Sequence, residues 1–200
     1  MKKLIIQSSC HFILAGLGGL LDSEPFIGRA KVVEKATNMM QYKELLKVIN
    51  DVDMIILTLG STESNFIPVL NIITHILPIV TTYNKLVLVG DFRKMELMRN
   101  YFEGLRHIHR VLDVSMPLEH LREQLLEVLF ESNYSTLSKA ERIVKLSPRE
   151  MRVLHCILNG ENMVKIADKL QLNYKTVSHH KRSALSKLGM RSLSQLYISA

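Results

Sequence analysis

The segment from Asn173 to Gly189 constrains the fold more than any other part of this chain. Asn173 is a favourable N-cap, because its side-chain oxygen can accept from free amides of the first helical turn. Gly189 tolerates the left-handed backbone conformation that closes a helix. At about 100° per residue, one side of this helix carries Val177, Ala184, Leu185 and Leu188. The opposite side carries Lys175, His179, Arg182 and Ser186. The segment therefore predicts a helix with one packing face and one cationic, hydrogen-bonding face.

Charge is distributed unevenly along the chain. Residues 1–138 contain 14 Lys and Arg against 15 Asp and Glu, whereas residues 139–200 contain 12 against 4. No aspartate or glutamate occurs from Gln171 to the C-terminus, although a merely solvated helix usually mixes both signs. A neutral region joined to a compact basic region predicts that only the second meets a polyanion. We therefore expect the cationic face of the 173–189 helix to lie in the major groove of double-stranded DNA.

Five strand–helix units are predicted in the first 130 residues. The predicted strands are Leu4–Gln7, Ala30–Val33, Asp53–Leu59, Leu86–Val89 and His107–Val114. The predicted helices are Phe12–Leu21, Gln41–Ile49, Ser64 to His75 with its end before Pro78, Arg93–Phe102 and Leu118–Leu129. Such alternation implies a parallel sheet covered on both faces. The predicted fold class is α/β, with a five-stranded doubly wound, flavodoxin-like domain whose functional groups lie at the carboxyl ends of the strands.

A capping box predicts where a second, all-α domain begins. Ser147 caps a helix, Pro148 occupies its first position, and Glu150 reaches back to the cap. The helix ends at Asn159-Gly160, and a short helix over 163–170 precedes the one that starts after Asn173.

A fourth helix is predicted after a further capping box at Ser192 and Gln195. The polar segment between the two regions has no strong apolar period. We therefore predict a first domain over residues 1–131, a linker over 132–145 and a four-helix domain over 146–200.

Several short motifs are spread along the four-helix region. They are Leu146-Ser-Pro-Arg-Glu150, Val153-Leu154, Gly160, Ile166-Ala167, Leu170, Thr176-Val177, His180 and Lys187-Leu188-Gly189. With these motifs the region resembles the helix-turn-helix domain of LuxR/FixJ/NarL-type transcription regulators. The run from Thr176 to Met190 is similar to the capsule-regulating RcsB/RcsA-like branch and to fimbrial regulators.

The resemblance implies which residues contact DNA. The positions that face base edges are Lys175, Ser178, His179 and Arg182, and those that hold phosphates are Thr176 and Lys187. Family members usually carry a lysine or arginine where this chain has Ser178, which resembles the Rcs branch and weakens the transfer of base specificity from the family. The physical chemistry agrees, because an arginine makes a two-pronged contact to guanine and phosphate contacts make affinity fall with salt.

The first domain resembles a response-regulator receiver through Gly16-Leu17, Leu20-Leu21, Asp53–Leu59 and Pro117. A working receiver has an acidic pair after its first strand, a phosphate-accepting Asp after its third and a Lys after its fifth. The corresponding positions here hold Ser8 and Ser9, then Thr58, then Asp113 or Met116. Serines cannot supply the anionic oxygens that Mg²⁺ requires, and a threonine cannot form an acyl phosphate. We expect a pseudo-receiver that phosphotransfer does not switch.

The expected function is sequence-specific DNA binding by a transcription regulator. One recognition helix reads few bases, so we expect a homodimer or a heterodimer with another LuxR-type regulator. The alternative is a small-molecule-sensing regulator that uses the first domain, although autoinducer-binding domains of the family rely on tryptophans and this chain has none. No activated nucleophile or acid–base pair is evident, so we do not expect an enzyme.

The two cysteines, Cys10 and Cys156, form no zinc-type spacing and no disulfide framework. We therefore expect a cytoplasmic protein without a metal or cofactor. The N-terminal apolar run breaks at Gln7–Ser9, which argues against a signal peptide.

Overall fold

The computed structural model describes residues 1–38, 41–42, 44–45, 51–59, 67, 69–80, 83–91, 96–105, 107–130 and 145–194. The predicted linker lies outside the described residues except for Lys145, and so does the predicted fourth helix from Gln195 onward. The limits of the two domains thus stay predictions.

Five parallel strands form a single sheet in the order β2-β1-β3-β4-β5. They are β1 (Lys2–Gln7), β2 (Ala30–Ala36), β3 (Val52–Leu59), β4 (Tyr83–Gly90) and β5 (Arg110–Asp113). Residues 54–59 of β3 and 85–90 of β4 are buried without interruption, as expected of strands covered on both faces. The sheet confirms the predicted doubly wound topology, although the last strand is shorter than predicted.

Helices cover the two faces of the sheet. In this domain they include α1 (His11–Leu21), α2 (Glu96–Glu103) and α3 (Leu118–Phe130). Leu4 and Ile6 of β1 pack with α1 and α3, whereas the intervening Ile5 packs with α2 and with residues 69–77 on the other face. Successive strand residues point to opposite faces, so both faces contribute to the apolar core.

The segment between β3 and β4 differs from the prediction of a simple helix. Residues 69–71 are α-helical, Ile72–Ile76 form a π-helical turn, and Leu77–Ile79 form a 3₁₀ turn. Helical winding therefore continues through Pro78, which the sequence had predicted as a stop. Proline is tolerated there because it lies at the beginning of the new turn, where its missing amide needs no partner. The predicted cap, Ser64, lies outside the described residues.

The second region contains α4 (Pro148–Leu158), α5 (Met163–Leu170) and α6 (Tyr174–Lys187). The predicted capping box is confirmed, because Ser147 Oγ accepts from the Glu150 amide at 3.2 Å and Glu150 Oε2 accepts from the Ser147 amide at 2.6 Å. Gly160 and Gly189 have φ values of 77° and 71°, which only glycine adopts readily, and they close α4 and α6.

One apolar core runs from the sheet domain into the helical region. Leu146 and Met151 are buried in the cluster that also contains Leu70, Ile73 and Tyr101. The Leu146 amide donates to Tyr101 Oη at 3.4 Å. The N-terminal part of α4 is therefore held against the sheet domain by both packing and a hydrogen bond.

Candidate nucleic-acid interface

The N-terminus of α6 is fixed by its cap. Asn173 Oδ1 accepts from the Thr176 amide at 2.7 Å and from Thr176 Oγ1 at 2.9 Å. On the inner side of the helix Val177, Ala184 and Leu185 are buried against the rest of the domain. The predicted cap and the predicted packing face are both present, so α6 has a defined rotation about its own axis.

The opposite face of α6 is open to solvent. Lys175, His179, Arg182 and Ser186 are exposed, and Ser178 is half-buried beside them. Within the described residues, no ion pair involves Lys175 or Arg182, and the His179 ring lies 6.0 Å from the His180 ring. The structure thus brings the four predicted base-facing residues, 175, 178, 179 and 182, onto an accessible helix edge with unneutralised positive charge.

The two predicted phosphate-contacting residues have intramolecular partners. The Thr176 hydroxyl donates its proton to the cap, as described above. Lys187 Nζ lies 2.7 Å from Glu150 Oε2 and donates to the Lys145 carbonyl at 3.2 Å. Direct contact of either side chain with a phosphate therefore requires one of these bonds to be shared or broken.

Glu150 connects α4 with α6, a role that the sequence did not reveal. Its residue is 4% exposed, and besides Ser147 and Lys187 it accepts from Ser183 Oγ at 2.7 Å. Burial raises the pKa of Glu150, but the Lys187 ammonium, the Ser147 amide and the Ser183 hydroxyl outweigh burial and lower the pKa to about 2. The carboxylate is thus ionised at neutral pH and fixes the position of the recognition-type helix on α4. Its capping motif was visible in the sequence, but its partners lie 33 and 37 residues away.

The residues predicted to form a degenerate phosphorylation site lie at the carboxyl ends of the neighbouring strands β1 and β3. Thr58 Oγ1 donates to Ser8 Oγ at 2.8 Å, and both residues are buried, whereas Ser9 is exposed. Ser8 Oγ in turn accepts from the Cys10 amide at 3.2 Å. The structure therefore brings Ser8 and Thr58 together as a closed, neutral pair and leaves Ser9 outside it.

The residues at the predicted lysine position contribute no cation. Asp113 ends β5, and its Oδ1 accepts from the Ser115 amide at 2.8 Å and from Ser115 Oγ at 2.5 Å. The buried donors around Ser8 and Thr58 are neutral hydroxyls, which do not fit the Mg²⁺ of a receiver.

Nowhere in the described ranges do three His, Cys, Asp or Glu side chains form a group that could hold a metal ion. The same ranges contain no helix with the length and apolar character needed to cross a membrane.

Comparison with known families places the helical region. Residues 144–200 match the family model described as bacterial regulatory proteins, luxR family. The C-terminal region is a LuxR-family domain. This region contains α4, α5 and α6, and the exposed edge of α6 is therefore part of a LuxR-family domain.

Two curated proteins are similar over part of the chain. The Fimbriae Z protein of Salmonella typhimurium is 40% identical over 67 residues, which are 34% of this chain and 32% of that protein. The oxygen regulatory protein NreC of Staphylococcus aureus is 36% identical over 106 residues, which are 53% of this chain and 45% of that protein. The matched part of the chain thus spans less than half the length of these relatives.

Solved structures of RcsB share the fold of the whole chain. RcsB from Salmonella enterica serovar Typhimurium, in a structure bound to promoter rprA, has a TM-score of 0.57 at 21% identity and covers 99% of this chain and 97% of its own. An RcsB–DNA complex has a TM-score of 0.51 at 19% identity. At these identities the similarity shows the fold, a receiver-type sheet domain followed by a LuxR-family domain.

Proposed function

We propose that this chain is a sequence-specific, DNA-binding transcription regulator and not an enzyme. The observation that carries the proposal is the exposed, carboxylate-free cationic edge of α6 within a LuxR-family domain. The similarity to the oxygen regulatory protein NreC and to RcsB structures bound to DNA supports the same functional class, a DNA-binding transcription regulator. A bacterial regulator that acts on chromosomal DNA would work in the cytoplasm.

The edge of α6 offers distinct chemistries along its length. Arg182 presents a planar guanidinium that can bind O6 and N7 of guanine together. Ser178 and His179 provide shorter hydrogen-bonding groups for neighbouring base edges. Lys175, in the first turn of the helix, lies where the helix N-terminus also favours a phosphate. We therefore assign base contacts mainly to Arg182, Ser178 and His179, and a phosphate contact to Lys175 when it does not reach a base.

Thr176 and Lys187 are proposed to act at the backbone of the duplex. Lys187 retains some exposure, with 21% of its side chain open to solvent, so a phosphate can approach while Glu150 holds the ammonium. Thr176 can accept rather than donate, because its proton is used in the cap. At this position the phosphate would be bound by the free backbone amides of the first helical turn rather than by the Thr176 hydroxyl.

Two copies are proposed to bind one operator. A single helix contacts only a few base pairs, and dimers place two recognition helices one helical turn apart in the major groove. The second copy is this protein or another LuxR-type regulator. Titration of operator DNA with this protein alone, and then with a candidate partner regulator, distinguishes the two arrangements.

We further propose that aspartyl phosphorylation does not control the protein. The support is chemical, since Thr58 donates to Ser8 in a buried neutral pair and no carboxylate occupies the acceptor position. Incubation with acetyl phosphate and Mg²⁺, with a working receiver as positive control, is expected to leave the intact mass unchanged. Any covalent phosphate on the first domain overturns this part of the proposal.

DNA binding is tested by selecting bound sequences from a random duplex library and then measuring affinity by fluorescence anisotropy. Arg182→Ala is expected to cost about 1–3 kcal/mol on the selected site and to relax base choice at one position. The matched control is Arg99→Ala, which removes the same charge from the sheet domain, where Arg99 pairs with Glu103. No measurable affinity for any duplex at low salt, or an unchanged sequence preference in Arg182→Ala, argues against the proposed interface.

A further inference from the structure

A cleft of about 650 Å³ lies between the sheet domain and the LuxR-family domain. Ile67 and Asn71, from the segment after β3, form one side, and residues of α4 and α5 form the other. Small-molecule sites in proteins usually enclose about 300–1,000 Å³ and often lie between domains. The cleft is therefore large enough for a metabolite, and none of its lining residues belongs to the exposed edge of α6.

The floor of the cleft is apolar. Ile67 and Met151 are 6% and 4% exposed, and half-buried Leu170 also lines the cleft. Methionine adapts its shape to what it contacts, because its unbranched chain has several rotatable bonds. A compact hydrocarbon group, aromatic or branched, would bury its surface on such a floor.

The wall of the cleft is cationic. Arg152, His155 and Lys169 line it, and no carboxylate is among its described lining residues. Lys169 is already paired, with its Nζ 2.7 Å from Glu161 Oε1, and His155 Nε2 lies 3.2 Å from Asn159 Nδ2. Arg152, by contrast, is exposed and forms no ion pair in the described part of the chain. One guanidinium is thus available to a ligand above an apolar floor.

The cleft adjoins an unusual turn of the backbone. Asn71 immediately precedes the π-helical turn Ile72–Ile76, and π-helical turns are rare and occur frequently at functional sites. Within that turn Thr74 Oγ1 donates to the Leu70 carbonyl at 2.7 Å and lies 3.9 Å from Met151 Sδ. The floor residue Met151 is therefore in contact with the turn, and a ligand on the floor would bear on both domains at once.

We propose that this cleft binds a small amphipathic monocarboxylate. The carboxylate accepts two parallel hydrogen bonds from the Arg152 guanidinium, a bidentate geometry that is common between arginine and carboxylates. The hydrocarbon part lies on Ile67, Met151 and Leu170. Because the ligand touches both domains, its binding stabilises their docked arrangement. The cleft would be the ligand site of the small-molecule-sensing alternative, at the boundary between the two domains. Ligand binding in the cleft does not depend on DNA binding.

The test is calorimetric titration of the full chain with phenylbutyrate, with neutral phenylbutyramide as the matched ligand. The acid is expected to bind at one saturable site, and Arg152→Gln is expected to weaken it about tenfold or more, as loss of a charge-assisted bidentate contact implies. The control is Lys165→Gln, an equal loss of charge at an exposed position on α5 that does not line the cleft. It is expected to leave the affinity unchanged.

A second variant tests the floor and the position of the site. Asn71→Trp places a bulky ring in the cleft from the sheet-domain side and is expected to abolish binding of phenylbutyrate. Bound phenylbutyrate is expected to slow amide exchange in residues 69–77 and in α4. The proposal is overturned by absence of saturable binding, by equal affinity for acid and amide, by an Arg152→Gln affinity equal to that of the parent, or by equal weakening in Lys165→Gln.

Discussion

Replacement of Glu150 by glutamine should destabilise the attachment of α6 to α4 in a strongly pH-dependent way. The carboxylate has a pKa of about 2 in the folded protein against an ordinary value of 4.5. A depression of that size corresponds to about 3 kcal/mol of stability at neutral pH, since each pKa unit is worth about 1.4 kcal/mol. Because the folded pKa is the lower one, this stability is complete above pH 4.5 and is lost as the pH falls towards 2.

Glu150→Gln keeps the shape of the side chain but removes its charge. The amide can still bond with Ser147 or Ser183, while Lys187 can turn towards solvent because 21% of its side chain is already exposed. We therefore expect a cost of about 1–3 kcal/mol at pH 7, below the full penalty of breaking a completely buried pair. As the pH falls from 4.5 through 2 the parent carboxyl becomes protonated in the folded state as well, so the difference between the two proteins should shrink steadily and vanish only below pH 2.

The assay is amide hydrogen exchange of the full chain at pH 7, with the protection of α4 and α6 as the readout. Urea unfolding followed by circular dichroism at pH 7 and pH 3 supplies the pH dependence. Glu103→Gln is the matched control, since its partner Arg99 forms an exposed i,i+4 pair worth about 0.3–0.5 kcal/mol. Equal stability of Glu150→Gln and the parent at pH 7, or a deficit that is the same at both pH values, refutes the reasoning.

Three further outcomes are expected. Asn173→Ala removes the acceptor for the Thr176 amide and should cost about 1 kcal/mol of stability, measured by urea unfolding, with a parallel loss of DNA affinity. Lys175→Gln should reduce the slope of log affinity against log salt concentration by about one unit. Lys187→Gln should reduce this slope less, because Glu150 already neutralises the Lys187 ammonium. Equal slopes for the two variants would contradict the phosphate contact assigned to Lys175. Thr58→Val removes one donor to Ser8 Oγ, which still accepts from the Cys10 amide, and should cost about 0.5–1.5 kcal/mol in urea unfolding without changing operator choice. A changed operator would show that this site governs recognition.

The parts of the fold that follow from local chemistry could be predicted from the sequence. The capping box of Ser147 and Glu150 and the Asn173 cap involve residues three positions apart, so the motif contains its own partners. The parallel sheet could be predicted from the alternation of strands and helices, and β3 is visible as a largely apolar run. The exposed and buried sides of α6 likewise follow from helical periodicity alone.

The contacts that join distant segments could not be predicted. Nothing in the sequence links Glu150 with Lys187 or Ser183, because these pairs form only after α4 and α6 cross. The π-helical turn before Pro78 depends on packing of the segment against the sheet, and local propensity does not encode it. The resemblance to a receiver predicted Ser8 and Thr58 at one site, but the hydrogen bond between them depends on the strand register.

The apolar core shared by the two domains limits how this chain can be recombined. In a chimera with α4–α6 fused to a foreign sheet domain, Met151 would lose its contact with Thr74 and the Leu146 amide would lose the Tyr101 hydroxyl. Such a chimera would expose an apolar patch and an unpaired backbone amide unless the foreign domain supplied equivalent contacts. The LuxR-family domain is thus not freely portable, and homologous exchange should preserve residues on both sides of the join together.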